Sequence, residues 1–280
     1  MPQAPPILAA ALRHQDFFGN LRAPTLACTA TATDKDISDI INMCDMERDV
    51  TQVIRMSPVK DCHLYYNVMR PPSVNKFKGC EDKPGIINLL KIIYLDKFVS
   101  DILGGKKPKK CIIFVQNLKE MMAISNYLTG KLKSTLNARD EMFPFVTNHS
   151  NVGEITADNI RFKSKTGSIS LYISTSVMLL GIDIQELDIA ILLRPFHQLH
   201  AFNQAGGRVG RRIGARLARK GAVFCLWNNT DLRAGFRTMS DTVRLFCREK
   251  GCLKEFVNKY FNKSNPKYVK TSEWCCSNCM

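Results

Sequence analysis

The chain has 280 residues, 45% hydrophobic and 23% charged, ordinary proportions for a globular protein of one or two domains. Lys and Arg outnumber Asp and Glu by 40 to 25, a formal charge of +15, and such an excess favours polyanionic partners through counterion release, nucleic acid first among them. No run of about 18 apolar residues is present, so no membrane span is expected, and the apolar stretch 7–12 lacks the basic segment that precedes a signal peptide core.

In chain order, residues 25–32 form a β-prone run, and Thr33 or Asp34 caps a helix whose apolar positions include Ile37, Ile40 and Ile41. Residues 53–55 read as a further strand, and 70–83 as a polar, Pro-containing connector. Next come a helix over 86–103 stopped by Gly104-Gly105, a basic loop 106–110, and a strand over 111–115. A helix over 118–132, a weaker strand 143–146 and a helix 157–163 follow. Residues 170–174 and 189–193 are continuous apolar runs, the mark of parallel strands buried on both faces. A helix over 201–211, a strand over 222–227 and a helix over 233–250 lead into a tail rich in Cys, Lys and Asn. Strand and helix alternate about five times, which predicts a parallel sheet flanked by helices, with ligands outside the carboxyl ends of the strands.

Eleven cysteines, unevenly spread and crowded at the end, do not form a secreted disulfide framework. Cys111 and Cys225 sit in apolar runs as buried small hydrophobes. A reducing compartment, nucleus or cytosol, fits this usage.

The most informative segment is Gln204-Ala205-Gly206-Gly207-Arg208-Val209-Gly210-Arg211. Two arginines three apart share one helix face, and each glycine costs about 1 kcal/mol against Ala in a helix, so the cluster needs a tight approach or a ligand as its reason. Guanidinium forks suit a phosphoryl group in transfer; they equally suit a nucleic-acid backbone, and the pattern alone leaves both open. A second segment, residues 174–183, follows an apolar strand with the hydroxyls Ser174, Thr175 and Ser176 and ends in Gly181-Ile182-Asp183. Gly181 permits a sharp turn, and Asp183 can fix an arginine or a ribose.

In this order and spacing the two segments resemble motifs VI and V of superfamily 2 helicases. Three others narrow the resemblance to the RecQ family: A-C-T-A-T-A over 27–32, close to that family's motif III; I-I-F-V-Q-N over 112–117, where motif IV belongs; and His149 followed by Arg161-Phe162. The resemblance implies a RecA-like α/β fold and an ATP-dependent 3′-to-5′ DNA helicase. It implies that Arg208 and Arg211 contact ATP phosphates, that Gln204 couples nucleotide state to lobe position, and that Gly181, Asp183 and Gly207 help build the same cleft. Thr29, Thr31, Asn117, His149, Ser174 and Thr175 would face the nucleic acid. Arg212 stands where the family usually has Asp, and Leu179-Leu180 where it often has Gly-Met.

No G-x-x-x-x-G-K-[ST] phosphate loop and no D-E-x-H occur. ATP and Mg²⁺ would therefore be shared with an N-terminal lobe outside this sequence, and the chain reads as a fragment or a truncated product. The terminal cysteines complete the resemblance. Cys276 and Cys279 have the C-x-x-C spacing of two ligands on one tetrahedral ion, and the RecQ zinc module implies Cys252, Cys276 and Cys279 as ligands. The last ligand of the trio would fall past Met280, with Cys247 or Cys275 as substitutes.

These readings give residues 1–58 as the end of a first RecA-like lobe, 59–231 as a complete second lobe, and 232–280 as a small helical, Cys-rich zinc-binding subdomain. The partner is DNA, single-stranded or forked, the compartment the nucleus, and no membrane is involved. Two alternatives stand beside this one: a non-catalytic nucleic-acid-binding or regulatory module, and half of a DEAD-box-like RNA helicase.

Overall fold

Six strands, each hydrogen-bonded in parallel with its neighbours, build the sheet on which every other described element of its unit is arranged. They are β1 (Leu64–Met69), β2 (Cys111–Phe114), β3 (Phe145–Asn148), β4 (Leu171–Ser174), β5 (Ile189–Leu193) and β6 (Gly221–Leu226). Their order is β1-β6-β5-β2-β4-β3, with Cys111 of β2 opposite Ile189 on one side and Leu171 on the other. The computed structural model describes residues 26–29, 32–46, 48–49, 51–54, 64–71, 85–136, 144–148, 169–175, 184, 186–210, 220–229, 231–232, 239–261 and 275–279. The chain divides into two compact units, residues 1–60 with 258–268, and residues 61–257 with 269–280.

In the first unit, α1 (Asp34–Met43) opens with a capping box. The Asp36 N–H donates to the Thr33 hydroxyl at 3.2 Å, and the Thr33 N–H donates to the Asp36 carboxylate at 2.7 Å, so each satisfies an otherwise orphaned helix donor. Residues 26–29 and 51–54 are not strands, against expectation, and Val53 and Ile54 are exposed. A β-prone sequence without a partner strand gains nothing from extension.

In the sheet unit, α2 (Ile86–Leu90), a π-helical turn (Lys91–Leu95) and α3 (Asp96–Leu103) run on as one helix. The helix ends at Gly104-Gly105 as expected. Gly105 lies at φ 67, a left-handed conformation that side chains resist. Helix α4 (Leu118–Leu136) starts where the Asn117 side-chain oxygen accepts the Glu120 N–H at 2.9 Å. Its residues Ile124, Leu128 and Leu132, four apart and fully buried, face β2 and β4 through Ile113, Leu171 and Ile173. Further on lie α5 (Leu199–Gly206), α6 (Asp241–Arg248) and the start of α7 (Leu253–Phe261). Elsewhere in the unit Tyr66, Phe202, Phe246 and Phe256 form a row of edge-on and tilted ring contacts in steps of 5.3, 4.7 and 5.6 Å.

Strand β1 was not anticipated. It is an edge strand, and it pairs with β6 from Leu64 opposite Gly221 to Met69 opposite Leu226. The third strand begins two residues later than expected because Pro144, which lacks an N–H, acts instead as an acceptor for Ser170 and Leu171. The helix expected over 201–211 begins at Leu199 and stops at Gly206. The expected helix 157–163 and residues 233–238 of the expected helix 233–250 lie outside the described residues. Cys111 and Cys225 are buried, as their apolar runs implied.

One glycine is dictated by packing. A Cβ on Gly221 would lie 2.3 Å from Val209 Cγ1 and 3.2 Å from the Asp188 carbonyl oxygen. Valine is stiff at χ1 and cannot swing aside. Gly221→Ala is expected to cost about 1–3 kcal/mol through overpacking. Adding Val209→Ala should recover part of the loss, and denaturant midpoints of the two variants check it.

Candidate functional site

The side-chain cluster with the plainest chemistry is made by the tail. Residues 275–277 lie beside β1: the Tyr66 N–H donates to the Cys275 carbonyl at 3.1 Å, and the Ser277 N–H donates to the Tyr66 carbonyl at 2.9 Å, a parallel bridge between Tyr66 and Cys276. A turn at Ser277-Asn278, closed by the Cys279 N–H on the Cys276 carbonyl at 3.1 Å, swings Cys279 back toward Cys276. Their sulfurs are 3.4 Å apart, and those of Cys252 and Cys275 are 3.5 Å apart. All four sulfurs lie within 4.8 Å of one another. A zinc ion bonded at about 2.3 Å to four thiolates sets them about 3.8 Å apart, so the donor set fits such an ion in number, type and spacing.

The surroundings favour thiolate at Cys276 and oppose it at Cys279. Burial pushes the Cys276 thiol up, but the N–H groups of Leu253 and Asn278 and the neighbouring Cys279 and Cys252 thiols outweigh it and bring Cys276 below the usual thiol range. Leu253 opens α7, and its N–H, one of the donors a helix leaves unused, lies 3.4 Å from the Cys276 sulfur. Burial and the adjacent Cys276 and Cys252 sulfurs push Cys279 up; a central divalent cation offsets that crowding of charge. Asn278 sits between the last two cysteines and donates through one amide nitrogen to the carbonyls of Glu249, at 2.8 Å, and Gly251, at 2.9 Å. It ties the tail's turn to the loop that carries Cys252. The structure thus brings Cys252, Cys276 and Cys279 together, and the fourth sulfur is that of Cys275. Cys247 is elsewhere, against Cys225.

The other expected site residues divide between the two ends of the sheet. At the carboxyl ends, Asn117 follows β2, and Ser174 and Thr175 close the adjacent β4. Asn117 is exposed, and its side-chain oxygen is held as the helix cap. Ser174 is fully buried, with its hydroxyl donating to the Thr175 carbonyl at 2.9 Å, while Thr175 is half-buried. Gln204, Gly207 and Arg208 lie at the opposite end. Helix α5 leaves the carboxyl end of β5 and runs back, so its last turn arrives at the strands' amino ends. There the Gly210 N–H donates to the Leu187 carbonyl at 2.9 Å, four residues after Asp183. The rule that ligands collect at carboxyl ends therefore covers the first set and not the second. Gly206 serves tight packing, since a Cβ there would meet the Tyr66 hydroxyl at 3.4 Å. Thr29 is exposed in the first unit. Thr31, His149, Gly181, Asp183 and Arg211 lie outside the described residues.

A charged network at the carboxyl ends escaped the sequence. Arg194, directly after β5, takes φ 83, a backbone conformation that few bulky residues adopt. Its guanidinium donates through Nε to Glu120 of α4 and through Nη1 to Asp231, in the loop after β6. The carboxylate side chains are 8% and 3% exposed, the arginine 31%, so the two acids are closed off from solvent and depend on this pairing. Their second oxygens are occupied as well, Glu120 by the Gln116 N–H at 3.1 Å and Asp231 by the Asn228 N–H at 2.8 Å. Burial acts to lower the Arg194 pKa, and the two carboxylates reverse this and hold it above the usual guanidinium value. Gln116 also donates through its amide to the Pro195 carbonyl at 2.9 Å.

Residues 91–213 match the family described as helicase conserved C-terminal domain; this stretch carries the segments that resemble motifs IV, V and VI. No curated protein matches the chain. Among solved structures, the DUF1998 helicase MrfA bound to DNA and AMPPNP is 16% identical with a TM-score of 0.48, over 68% of this chain and 22% of its own. The Mycobacterium smegmatis helicase Lhr bound to ssDNA and AMP-PNP is 17% identical with a TM-score of 0.46, over 66% and 21%. The S. cerevisiae Dbp5 bound to RNA and ADP BeF3 is 18% identical with a TM-score of 0.48, over 72% and 44%. The chain thus spans about a fifth of the length of the first two and under half of the third.

Proposed function

We propose that this chain is the C-terminal portion of an ATP-dependent DNA helicase of RecQ type, with 3′-to-5′ polarity and a nuclear site of action. In this reading residues 1–58 end the first motor lobe, 59–231 are the second, and 232–280 carry the zinc-binding subdomain. Arg208 and Arg211 meet the terminal phosphates of ATP, whose Mg²⁺ and phosphate cradle come from the N-terminal lobe. Gln204, Gly181, Asp183 and Gly207 shape the same cleft. Thr29, Thr31, Asn117, His149, Ser174 and Thr175 line the nucleic-acid side. The supporting observation is the pairing of one parallel sheet, whose phosphate-type and nucleic-acid-type residues occupy opposite ends, with a four-cysteine cluster on its edge strand. A sheet lobe alone fits many helicases; the cysteine cluster favours the RecQ type over the DEAD-box type.

Zinc, when bound, acts as a structural cross-link. Cys252, Cys275, Cys276 and Cys279 would hold it, Leu253 orients the Cys276 sulfur, and Asn278 fixes the two cysteine loops to each other.

Fluorescence anisotropy with single-stranded DNA and RNA, across a salt series, tests the reading. Tighter binding to DNA is expected, with log K falling linearly in log[salt] by about 0.7 per phosphate neutralised. The chain alone is expected to show no DNA-stimulated ATP hydrolysis. Preference for RNA, or a turnover of the isolated chain that Arg211→Ala abolishes, would overturn it.

A further inference from the structure

The loops after β2, β5 and β6 are tied together from residues far apart in the chain. Glu120 and Arg194 are separated by 74 positions, and Arg194 and Asp231 by 37. All four carboxylate oxygens of Glu120 and Asp231 are engaged: two by the guanidinium of Arg194, one by the Gln116 N–H, one by the Asn228 N–H. A fully satisfied buried network of this kind rigidifies what it joins. Its backbone strain points the same way. Arg194 holds a left-handed φ although it is not glycine, and strain of this kind persists only where surrounding contacts over-determine it, most often at functional sites.

The network controls the presentation of one residue. Asn117 is exposed at the carboxyl end of β2, and its side-chain oxygen is pinned by the Glu120 N–H at 2.9 Å. With the oxygen fixed, the amide NH₂ is turned outward as a donor. Glu120 is held by Arg194, and Gln116, the preceding residue, is held twice, by its N–H on Glu120 and by its amide on the Pro195 carbonyl. The Asn117 cap thus belongs to a helix turn whose Glu120 side chain, and the Gln116 before it, are anchored to the segment Arg194-Pro195.

We propose that Arg194 is a positioning residue for nucleic-acid binding: clamped by Glu120 and Asp231, it locks the loops after β2, β5 and β6 into one surface and holds the Asn117 amide toward the bound strand. The two carboxylates leave the trio with net negative charge, so it contributes direction and not attraction for phosphate. This inference rests on the reading that the carboxyl ends of the strands face nucleic acid.

The test is a double-mutant cycle on single-stranded DNA binding by the full chain. Arg194→Met is expected to weaken binding about tenfold, to leave the salt slope unchanged, and to cost little more once Asn117→Ala is present. Two buried carboxylates without a partner endanger folding, so the neutral triple variant Glu120→Gln, Arg194→Met, Asp231→Asn is run beside it and should show the same loss. Additive losses, unchanged affinity, or a slope smaller by about 0.7, the sign of a direct phosphate contact by Arg194, each overturn the proposal. Amide hydrogen exchange separates it from the functional reading. If the unaltered chain binds no nucleic acid, the functional reading fails. Faster exchange at Gln116 and Glu120 in Arg194→Met still upholds the loop lock, and unchanged exchange there sinks it.

Discussion

Purified protein is expected to hold about one zinc ion, and Cys276→Ser is expected to release it and to lower the unfolding temperature. Metal binding and folding are linked. Four-ligand structural sites in small zinc peptides contribute roughly 10–16 kcal/mol of metal binding, and where the site forms only in the folded state that energy is folding energy. Here the same four residues join the tail to β1 through Tyr66 and to the first turn of α7 through Leu253, so losing the metal undoes both attachments. Replacing Cys275 discriminates between a four-sulfur and a three-sulfur site: Cys275→Ser should reduce affinity as Cys276→Ser does. Full zinc content and unchanged competition against a chelator in Cys275→Ser would remove it from the ligand set. Acid should release the ion, because each thiolate ligand must be deprotonated and protons compete as pH falls. The release should carry the unfolding temperature down with it. Metal analysis against pH, with thermal unfolding in parallel, reads both effects.

The second large effect is on stability. Arg194→Met is expected to destabilise the sheet unit by about 3 kcal/mol, since removing one partner of a buried ion pair strands the other charge. The lower end of the usual range applies because the arginine is 31% exposed while Glu120 and Asp231 are 8% and 3% exposed. Neutralising all three with Glu120→Gln, Arg194→Met and Asp231→Asn should return most of the loss, because a well-packed neutral replacement of a buried charged group is often close to neutral. Urea midpoints with unchanged m values check it. If the single and triple variants were equally unstable, lost packing would account for the effect and the charges would not.

How far the sequence could be read follows from how local each signal is. The runs over 111–115, 170–174 and 189–193 announced buried parallel strands because both faces of each are covered, and Gly104-Gly105 announced a helix end because Gly105 takes a conformation glycine tolerates. Cys276 and Cys279 were legible because C-x-x-C spacing is itself the geometry of two ligands. The choice between Cys247 and Cys275 was open, since residue 275 is brought beside the others by a pairing with Tyr66, which is remote in sequence. The Glu120–Arg194–Asp231 network left no local trace at all. Each residue is an ordinary surface type, Glu120 in the first turn of α4 and the other two outside regular elements, and only strand order brings the three together. Arg208 lies away from the carboxyl ends because it follows the helix that returns, whereas the carboxyl-end rule applies to loops that follow strands.

Outer strands of a sheet carry one row of amide and carbonyl groups facing away from their neighbour. In β1 the N–H and carbonyl of Tyr66 in that row are met by Cys275 and Ser277, on either side of Cys276. Three of the four cysteines that would hold zinc thus belong to the segment that lies against the flank of the sheet. A molecule starved of zinc would bare Leu-Tyr-Tyr-Asn-Val-Met, an uncharged stretch with a strong tendency to pair with its own kind. Should zinc hold these cysteines, its removal is expected to promote self-association along that flank.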